Sequence, residues 1–170
     1  MKRLGAGFGV AMLILALDQF SKWWMLSVFE LPYRGIVEVL PFFDLAMVWN
    51  PGVSFGMMNG SGEMGRWFLM ALSLTIVGIL AFWLPRAKNR LLVVAIGFVI
   101  GGALGNLVDR VRYGAVVDFI QLHAGTHAFY VFNIADSAIS IGVALLLWDA
   151  IFGGEDKTAS SSALSERDDK

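Results

Sequence analysis

The sequence contains no cysteine, which excludes disulfide bonds, thiolate nucleophiles and cysteine-ligated metal centres. It is also poor in charge, because 16% of its 170 residues are charged whereas 57% are hydrophobic. A soluble domain of this length could not cover so much apolar surface with so few polar groups. The net charge of −1 gives no indication of a nucleic-acid partner. The composition therefore predicts a small membrane protein whose chemistry uses oxygen or nitrogen groups.

Four apolar runs are long enough to cross a bilayer, because about 20 helical residues match a hydrocarbon core of ~30 Å. Basic residues precede the first run and lie in the short link between the second and third runs, whereas the long loop after the first run has an excess of acidic residues. The positive-inside rule then places both termini in the cytoplasm. We expect one membrane domain, residues 1–154, and a disordered cytoplasmic tail, residues 155–170, which is rich in serine and charge. The four runs are residues 4–25, 67–84, 91–107 and 132–152.

The first run has one feature of a cleaved secretory signal, since Lys2 and Arg3 precede its apolar stretch. No small-x-small cleavage site follows, however. The run instead contains a polar patch at residues 18–22 and then resumes with aromatic residues. A retained helix with a polar patch near its outer end is the favoured interpretation.

The loop between the first two runs, residues 26–66, is too long to be a passive connection. Residues 36–40 and 42–49 are rich in β-branched or aromatic side chains, which favours two strands on the outer membrane surface. An ordinary extramembrane loop remains the alternative. The predicted fold class is an all-α integral membrane protein with four transmembrane helices and a small extracytoplasmic β-structure.

Polar residues gather near the outer ends of three of the spans. At a rise of 1.5 Å per residue, Asp18 and Asn106 each lie ~24 Å from the cytoplasmic end of their span. The fourth span runs inward and meets Asn133 and Asp136 in its first turns. An ionisable group inside a membrane requires a partner or a function. Three separate segments are therefore predicted to bring polar groups to one level.

Two rows of residues at intervals of four run along the third span, and residues four apart share a helix face. Small residues in such rows let another helix approach closely, so the glycines predict helix packing. Asp109 and Arg110 end the two rows, where a salt-bridged helix end is the simpler explanation. A polar site shared by several segments is favoured over a salt-bridged helix end, because it also accounts for Asn106 and Asp18 at the same depth. The rows are Gly102, Asn106, Arg110 and Gly97, Gly101, Gly105, Asp109.

Nucleophilic catalysis by serine requires a base, which is normally histidine. The sequence has only two histidines, His123 and His127, and both fall in the predicted outer loop. Their spacing lacks the glutamate and the helical composition of a His-Glu-x-x-His zinc site. They are predicted to be solvated loop residues, and no metal site is expected.

A pair of carboxylates could hydrolyse a peptide without a cysteine, a histidine or a metal ion. Asp118 lies in an apolar segment that would return from the outer surface, and Asp136 opens the fourth span. A close pair cannot both ionise easily, so its members take opposite acid and base roles and can hydrolyse a peptide. Each residue also has an ordinary explanation, Asp118 as a turn or strand end and Asp136 as an acid at a helix N-terminus. The spacing alone favours the functional pair only slightly.

Five sequence blocks follow one another from about residue 14 to 142. They are Asp18-Gln19 with Ser21-Lys22, Asn50-Pro51-Gly52 with Ser54-Phe55, Gly101-Gly102-Ala103-Leu104-Gly105-Asn106 with Asp109-Arg110, Gly114 with Val117-Asp118-Phe119, and Phe132-Asn133-Ile134-Ala135-Asp136-Ser137. In order and spacing, this set resembles the bacterial lipoprotein signal peptidases, also called signal peptidase II. Pro51 departs from the Asn-Thr-Gly or similar triplet that is common in that family.

The resemblance implies an aspartyl endopeptidase of the inner membrane that removes the signal peptide from diacylglyceryl-modified prolipoproteins, cutting before the lipidated cysteine. It implies a small β-cradle in the outer loop, contact with membrane lipids, inhibition by globomycin, and no metal or organic cofactor. Asp118 and Asp136 would form the catalytic dyad. The residues implied to position the substrate or the dyad, or to lie beside it, are Asn106, Arg110, Asn133, Asp18, Asn50 and Asp109.

Two other classes of protein are alternatives to a peptidase. A small transporter or ion-conducting protein would use intramembrane acids as coupling sites, but such sites usually lie near the bilayer midplane. The acids here gather at the outer end, where a surface-exposed peptide bond could reach them. A non-catalytic membrane scaffold would have no reason to hold unpaired acids beside Asn106 and Asn133.

Overall fold

The computed structural model describes residues 2–52, 63–125 and 127–152. Within these residues the chain forms four long helices and one four-stranded antiparallel sheet, with the strands in the order β1-β2-β3-β4. Each helix is long and apolar enough to cross a membrane. The helices are α1 Lys2–Trp23, α2 Glu63–Trp83, α3 Arg90–Tyr113 and α4 Ile134–Phe152; the strands are β1 Val37–Leu40, β2 Phe43–Asn50, β3 Val116–Ala124 and β4 His127–Phe132.

Helix α3 is the centre of the helical part, because it packs against α1, α2 and α4 and is buried along most of its length. Helix α2 is the opposite case, since none of its residues is buried. Large side chains of α2, such as Ile79 and Phe82, point outward. Exposed apolar surface on this scale marks a face that contacts lipid or protein rather than water.

The two glycine rows of α3 pack against two different helices. A Cβ atom on Gly101 would lie 2.5 Å from the carbonyl oxygen of Ala11 in α1. A Cβ atom on Gly102 would lie 2.5 Å from the carbonyl oxygen of Ala135 in α4. Neither gap can hold a side chain without moving a backbone, so the prediction that the glycines serve helix packing is confirmed.

The sheet is larger than the sequence predicts. Strands β1 and β2 fall close to the two predicted runs, but residues 116–132 supply two more strands. His123 and His127 therefore lie in β3 and β4, and their assignment to a loop is wrong. The all-α description is incomplete for the same reason. Strand β3 pairs with β2 across more than sixty residues of sequence, and such long-range pairing leaves no local signal.

The helix ends also differ from the predicted ones. Helix α3 continues to Tyr113 instead of ending near residue 107, α2 begins at Glu63 instead of 67, and α4 begins at Ile134 instead of 132. Apolarity measures the membrane-compatible stretch, whereas caps set the ends of a helix. At the end of α3, Gly114 adopts a φ of 78° and its N–H donates to the carbonyl of Arg110. The predicted tail, residues 155–170, and Ser54-Phe55 lie outside the described residues.

We expect Gly101→Ala to lower the free energy of unfolding by about 1–3 kcal/mol, because the new methyl group meets the backbone of α1. Gly78→Ala in α2 is the matched control, since a Cβ atom there meets nothing within 4 Å. That control should be neutral or stabilising by up to about 1 kcal/mol. Thermal unfolding in detergent measures both, and equal melting temperatures for the two variants would contradict this packing.

Candidate active site

The first turn of α4 is held by a reciprocal pair of hydrogen bonds between Asn133 and Asp136. The backbone N–H of Asp136 donates to Asn133 Oδ1 at 2.9 Å, and the backbone N–H of Asn133 donates to Asp136 Oδ2 at 3.3 Å. This is the pattern of a capping box, with Asn and Asp in place of the usual residues. The cap fixes the Asp136 carboxylate at a helix N-terminus, where a negative charge is favourable.

Asp118 is brought to the same place by the sheet. It pairs with Val48 of β2, and Asn50 pairs with Val116. Because alternate residues of a strand share a face, Asn50 and Asp118 are diagonal neighbours on one face. The Nδ2 atom of Asn50 donates to Asp118 Oδ2 at 2.9 Å. The register of β2 shifts between Leu45 and Val48, just before this contact, and such bulges re-aim side chains beside functional sites.

Two asparagines join the two carboxyl groups. The Nδ2 atom of Asn133 donates to Asp118 Oδ1 at 2.6 Å and to Asn106 Oδ1 at 3.2 Å. The Nδ2 atom of Asn106 donates to Asp136 Oδ1 at 2.7 Å. Asp118 is 1% exposed, whereas Asp136 is half-buried. Both carboxyl groups are thus fixed by amide donors where α3, α4 and the sheet meet.

Beside this pair lies a cluster of three buried charges. The Nζ atom of Lys22 lies 2.8 Å from Asp18 Oδ2 and 2.7 Å from Asp109 Oδ2. It also donates to Asn106 Oδ1 at 3.4 Å. All three charged side chains are at most 3% exposed. Buried charges require such partners, because each loses the solvation that water would supply.

The two buried acids also hold the backbone of neighbouring elements. Asp18 Oδ1 accepts a hydrogen bond from the N–H of Ala135 in the first turn of α4, at 2.9 Å. Asp109 Oδ2 accepts one from the N–H of Val117 in β3, at 3.1 Å. The Nε2 atom of Gln19 donates to both acids, at 3.1 and 2.9 Å. The cluster therefore fixes the starts of the two segments that carry Asp118 and Asp136.

Arg110 lies on the same end of α3. Its Nη1 atom donates to the carbonyl oxygen of Asn106 at 3.3 Å, and its charge interacts with Asp136, Asp109 and Asp118. Its Nε atom is buried and has no hydrogen-bond acceptor among the described residues. A buried donor of this kind is expected to find a partner, so Arg110 can receive a carbonyl group of a bound ligand.

The environment of Asp118 makes its protonated form more stable than that of a free aspartate. Burial raises the pKa of Asp118 to about 6, the hydrogen bond from Asn50 opposes this, and the neighbouring charge of Asp136 adds to it. Two adjacent carboxyl groups of which one retains a proton can act as an acid and a base together. In the part of the chain that the structure describes, no group of three or more His, Asp or Glu residues is arranged to hold a metal ion.

The structure brings all of the sequence-predicted site residues into one hydrogen-bonded network, whose catalytic roles remain a prediction. Two members of the network were missed as functional residues, Lys22 and Gln19. The i, i+4 spacing of Asp18 and Lys22, typical of an ion pair on a helix, could have signalled the first. The predicted residues in the network are Asp118, Asp136, Asn106, Arg110, Asn133, Asp18, Asn50 and Asp109.

Comparisons with known proteins find similar sequences and a similar fold. A lipoprotein signal peptidase of Rhodopseudomonas palustris is 46% identical over 155 residues, covering 89% of this chain and 93% of the relative. One of Beijerinckia indica is 48% identical over 145 residues, covering 85% and 87%. A solved structure described as a bacterial membrane enzyme superposes with a TM-score of 0.75 at 30% identity, covering 87% of this chain and 94% of the other.

The family model described as "Signal peptidase (SPase) II" matches residues 10–152, which include every residue of the network described above. The match thus covers most of the chain, with α2, α3 and α4 in full and α1 from residue 10 onward. The transporter alternative finds no support in these comparisons. The chain belongs to the signal peptidase II family.

Proposed function

We propose that this protein is an aspartyl endopeptidase that removes the signal peptide from diacylglyceryl-modified prolipoproteins, cutting before the lipidated cysteine, with Asp118 and Asp136 as its catalytic dyad. The observation that carries the proposal is the link between the two carboxyl groups: Asn133 donates to Asp118 through its side chain and to Asp136 through its backbone. Family membership and relatives described as lipoprotein signal peptidases support the reaction and the prolipoprotein substrate.

In the proposed mechanism Asp136 is ionised and Asp118 holds a proton. Asp136 removes a proton from a water molecule, whose oxygen forms a bond with the scissile carbonyl carbon, while Asp118 donates its proton to the carbonyl oxygen. The intermediate then collapses: the C–N bond breaks, Asp136 passes its proton to the departing amine, and Asp118 regains one from the hydroxyl group. Both carboxyl groups return to their starting states, and no further reactant is required.

Arg110, Asn50 and Asn106 surround the dyad and complete the proposed site. Asn50 and Asn106 each donate to one carboxyl group, so each holds it in a fixed orientation. Arg110 has a buried Nε donor with no acceptor among the described residues, and it can bind a substrate carbonyl group near the cleaved bond. In this proposal Asn50 and Asn106 position the dyad, and Arg110 holds the substrate.

The setting is the inner membrane of a bacterium, as the family and the four apolar helices indicate. The dyad lies at one end of the helices, beside a sheet whose aromatic residues Trp49, Phe129 and Tyr130 are exposed. Aromatic side chains favour the membrane–water interface. We infer that this end faces the extracytoplasmic side, that both termini are cytoplasmic, and that membrane lipids and the inhibitor globomycin contact the same end.

Asp118→Asn and Asp136→Asn should each reduce cleavage of a diacylglyceryl prolipoprotein by at least ~10²-fold, because each removes one member of the acid–base pair. Asp149→Asn is the matched control, since Asp149 lies on the same helix as Asp136 but bonds Asn89 at the opposite end. The control should cleave at the rate of the unaltered protein. Normal turnover by either dyad variant, measured on purified protein by gel shift, would disprove the assignment.

The pKa of Asp118 also predicts how stability depends on pH. Its pKa in the folded protein is about 6, above the ~3.9 of a free aspartate, so the folded state binds the proton more tightly. The stability that Asp118 contributes is therefore full below pH ~4 and is lost as the pH rises through about 6. The melting temperature of the unaltered protein minus that of Asp118→Asn should fall between these pH values. A flat or rising difference would contradict the raised pKa.

A further inference from the structure

Lys22 makes more contacts than charge balance requires. Its ammonium group has three hydrogens, and the structure places three acceptors around it: Asp18 at 2.8 Å, Asp109 at 2.7 Å and Asn106 at 3.4 Å. The side chain is 3% exposed, so water does not compete for these positions. The carboxylates of Asp18 and Asp109 together carry more charge than the ammonium group of Lys22 can neutralise, so charge balance does not require a third partner. The third contact goes to the neutral amide of Asn106, which in turn donates to Asp136.

The contact fixes which way the Asn106 amide points. An ammonium group can only donate, so it requires the oxygen of Asn106 on its side. Asn133 Nδ2 also donates to that oxygen, at 3.2 Å. The Nδ2 atom of Asn106 is thereby directed to Asp136 Oδ1, at 2.7 Å. A flipped amide would place its NH₂ group against two donors and would withdraw the hydrogen bond from Asp136.

The hydrogen bond from Lys22 to Asn106 also makes the surroundings of Asp136 different from those of Asp118. Both carboxyl groups accept hydrogen bonds from asparagine, but only the donor to Asp136 is itself polarised by a buried ammonium group. Chains of hydrogen bonds that end in a charge strengthen one another in a buried setting. A stronger donor stabilises an ionised acceptor. Asp118 of β3 and Arg110 of α3 interact with Asp136 directly, whereas Lys22 of α1 reaches it through Asn106 and also acts on Asp118. Asp18 of α1 bonds the backbone of Ala135 beside Asp136, and Asp109 of α3 bonds Lys22.

We propose that Lys22 is a positioning residue of the dyad, which orients and polarises Asn106 so that Asp136 is held as the ionised base. The proposal rests on the proposed function. It predicts that Lys22 acts on the chemical step through Asn106, at a distance from the reacting atoms. The competing explanation is that Lys22 only neutralises the buried carboxylates of Asp18 and Asp109.

Lys22→Met alone would leave two buried carboxylates without a counter-ion and could unfold the protein. The test therefore compares the double variant Lys22→Met with Asp109→Asn, which removes one charge of each sign and leaves one buried carboxylate instead of two, against Asp109→Asn alone, using purified protein and a diacylglyceryl prolipoprotein. We expect kcat to fall by a further ~10-fold or more, as part of the ~10²–10⁴-fold that general acid–base catalysis supplies, with KM unchanged.

Repeating the comparison with Asn106→Ala added separates the two explanations. If Lys22 acts through Asn106, Lys22→Met no longer changes kcat in that background. The pair Lys22→Met with Asp18→Asn, against Asp18→Asn alone, gives a second comparison should the first pair not fold. An unchanged kcat in the Lys22→Met, Asp109→Asn double variant relative to Asp109→Asn alone, with only the melting temperature lowered, would overturn the proposal. If Asp118→Asn or Asp136→Asn remained active, the dyad itself would fail instead.

Discussion

The buried ion cluster of Lys22, Asp18 and Asp109 is the constraint on which the rest of the site depends. Three charges without solvent are tolerated only when each is fully partnered, and here the partners come from separate segments. Asp18 bonds the first turn of α4, and Asp109 bonds the first residues of β3. The same contacts that neutralise the charges therefore fix where the elements that carry the dyad begin. Glycines of α3 allow this, because they let α1 and α4 approach closely.

A second consequence is that the dyad is asymmetric before any substrate binds. Asp118 is buried in the sheet, which raises its pKa and favours its protonated form. Asp136 is more exposed and lies in the first turn of a helix, where the helix dipole attracts a negative charge and the Asn133 backbone and Asn106 side chain donate to it. Opposite environments for two adjacent carboxyl groups are what an acid–base pair requires. Asn133 keeps the two groups together, since it belongs to the helix and bonds the sheet.

Local sequence patterns predict much of this structure, whereas the pairing of β2 with β3 joins distant parts of the sequence and is not predicted by them. Apolar runs located all four helices, and the rise per residue placed Asp18 and Asn106 at one level with Asp136. The ends of α3 and α4 were misplaced, because caps such as Gly114 and Asn133 rather than apolarity set them. Strand β3 was missed because it pairs with β2 from a distant part of the sequence, whereas the β3–β4 hairpin is local and Gly125 between the two strands could have signalled it. The catalytic roles came from the family resemblance, whereas the contacts that explain them became visible only in the fold.

The most direct test of the central claim is cleavage itself. Detergent-purified protein is incubated with a diacylglyceryl-modified prolipoprotein, and the loss of a segment the size of a signal peptide is followed by gel electrophoresis, with and without globomycin. A peptidase of the proposed kind should cleave this substrate and be inhibited by globomycin. It should also cleave in the presence of a metal chelator, because two carboxyl groups supply the chemistry. No cleavage under conditions in which another signal peptidase II is active would contradict the account.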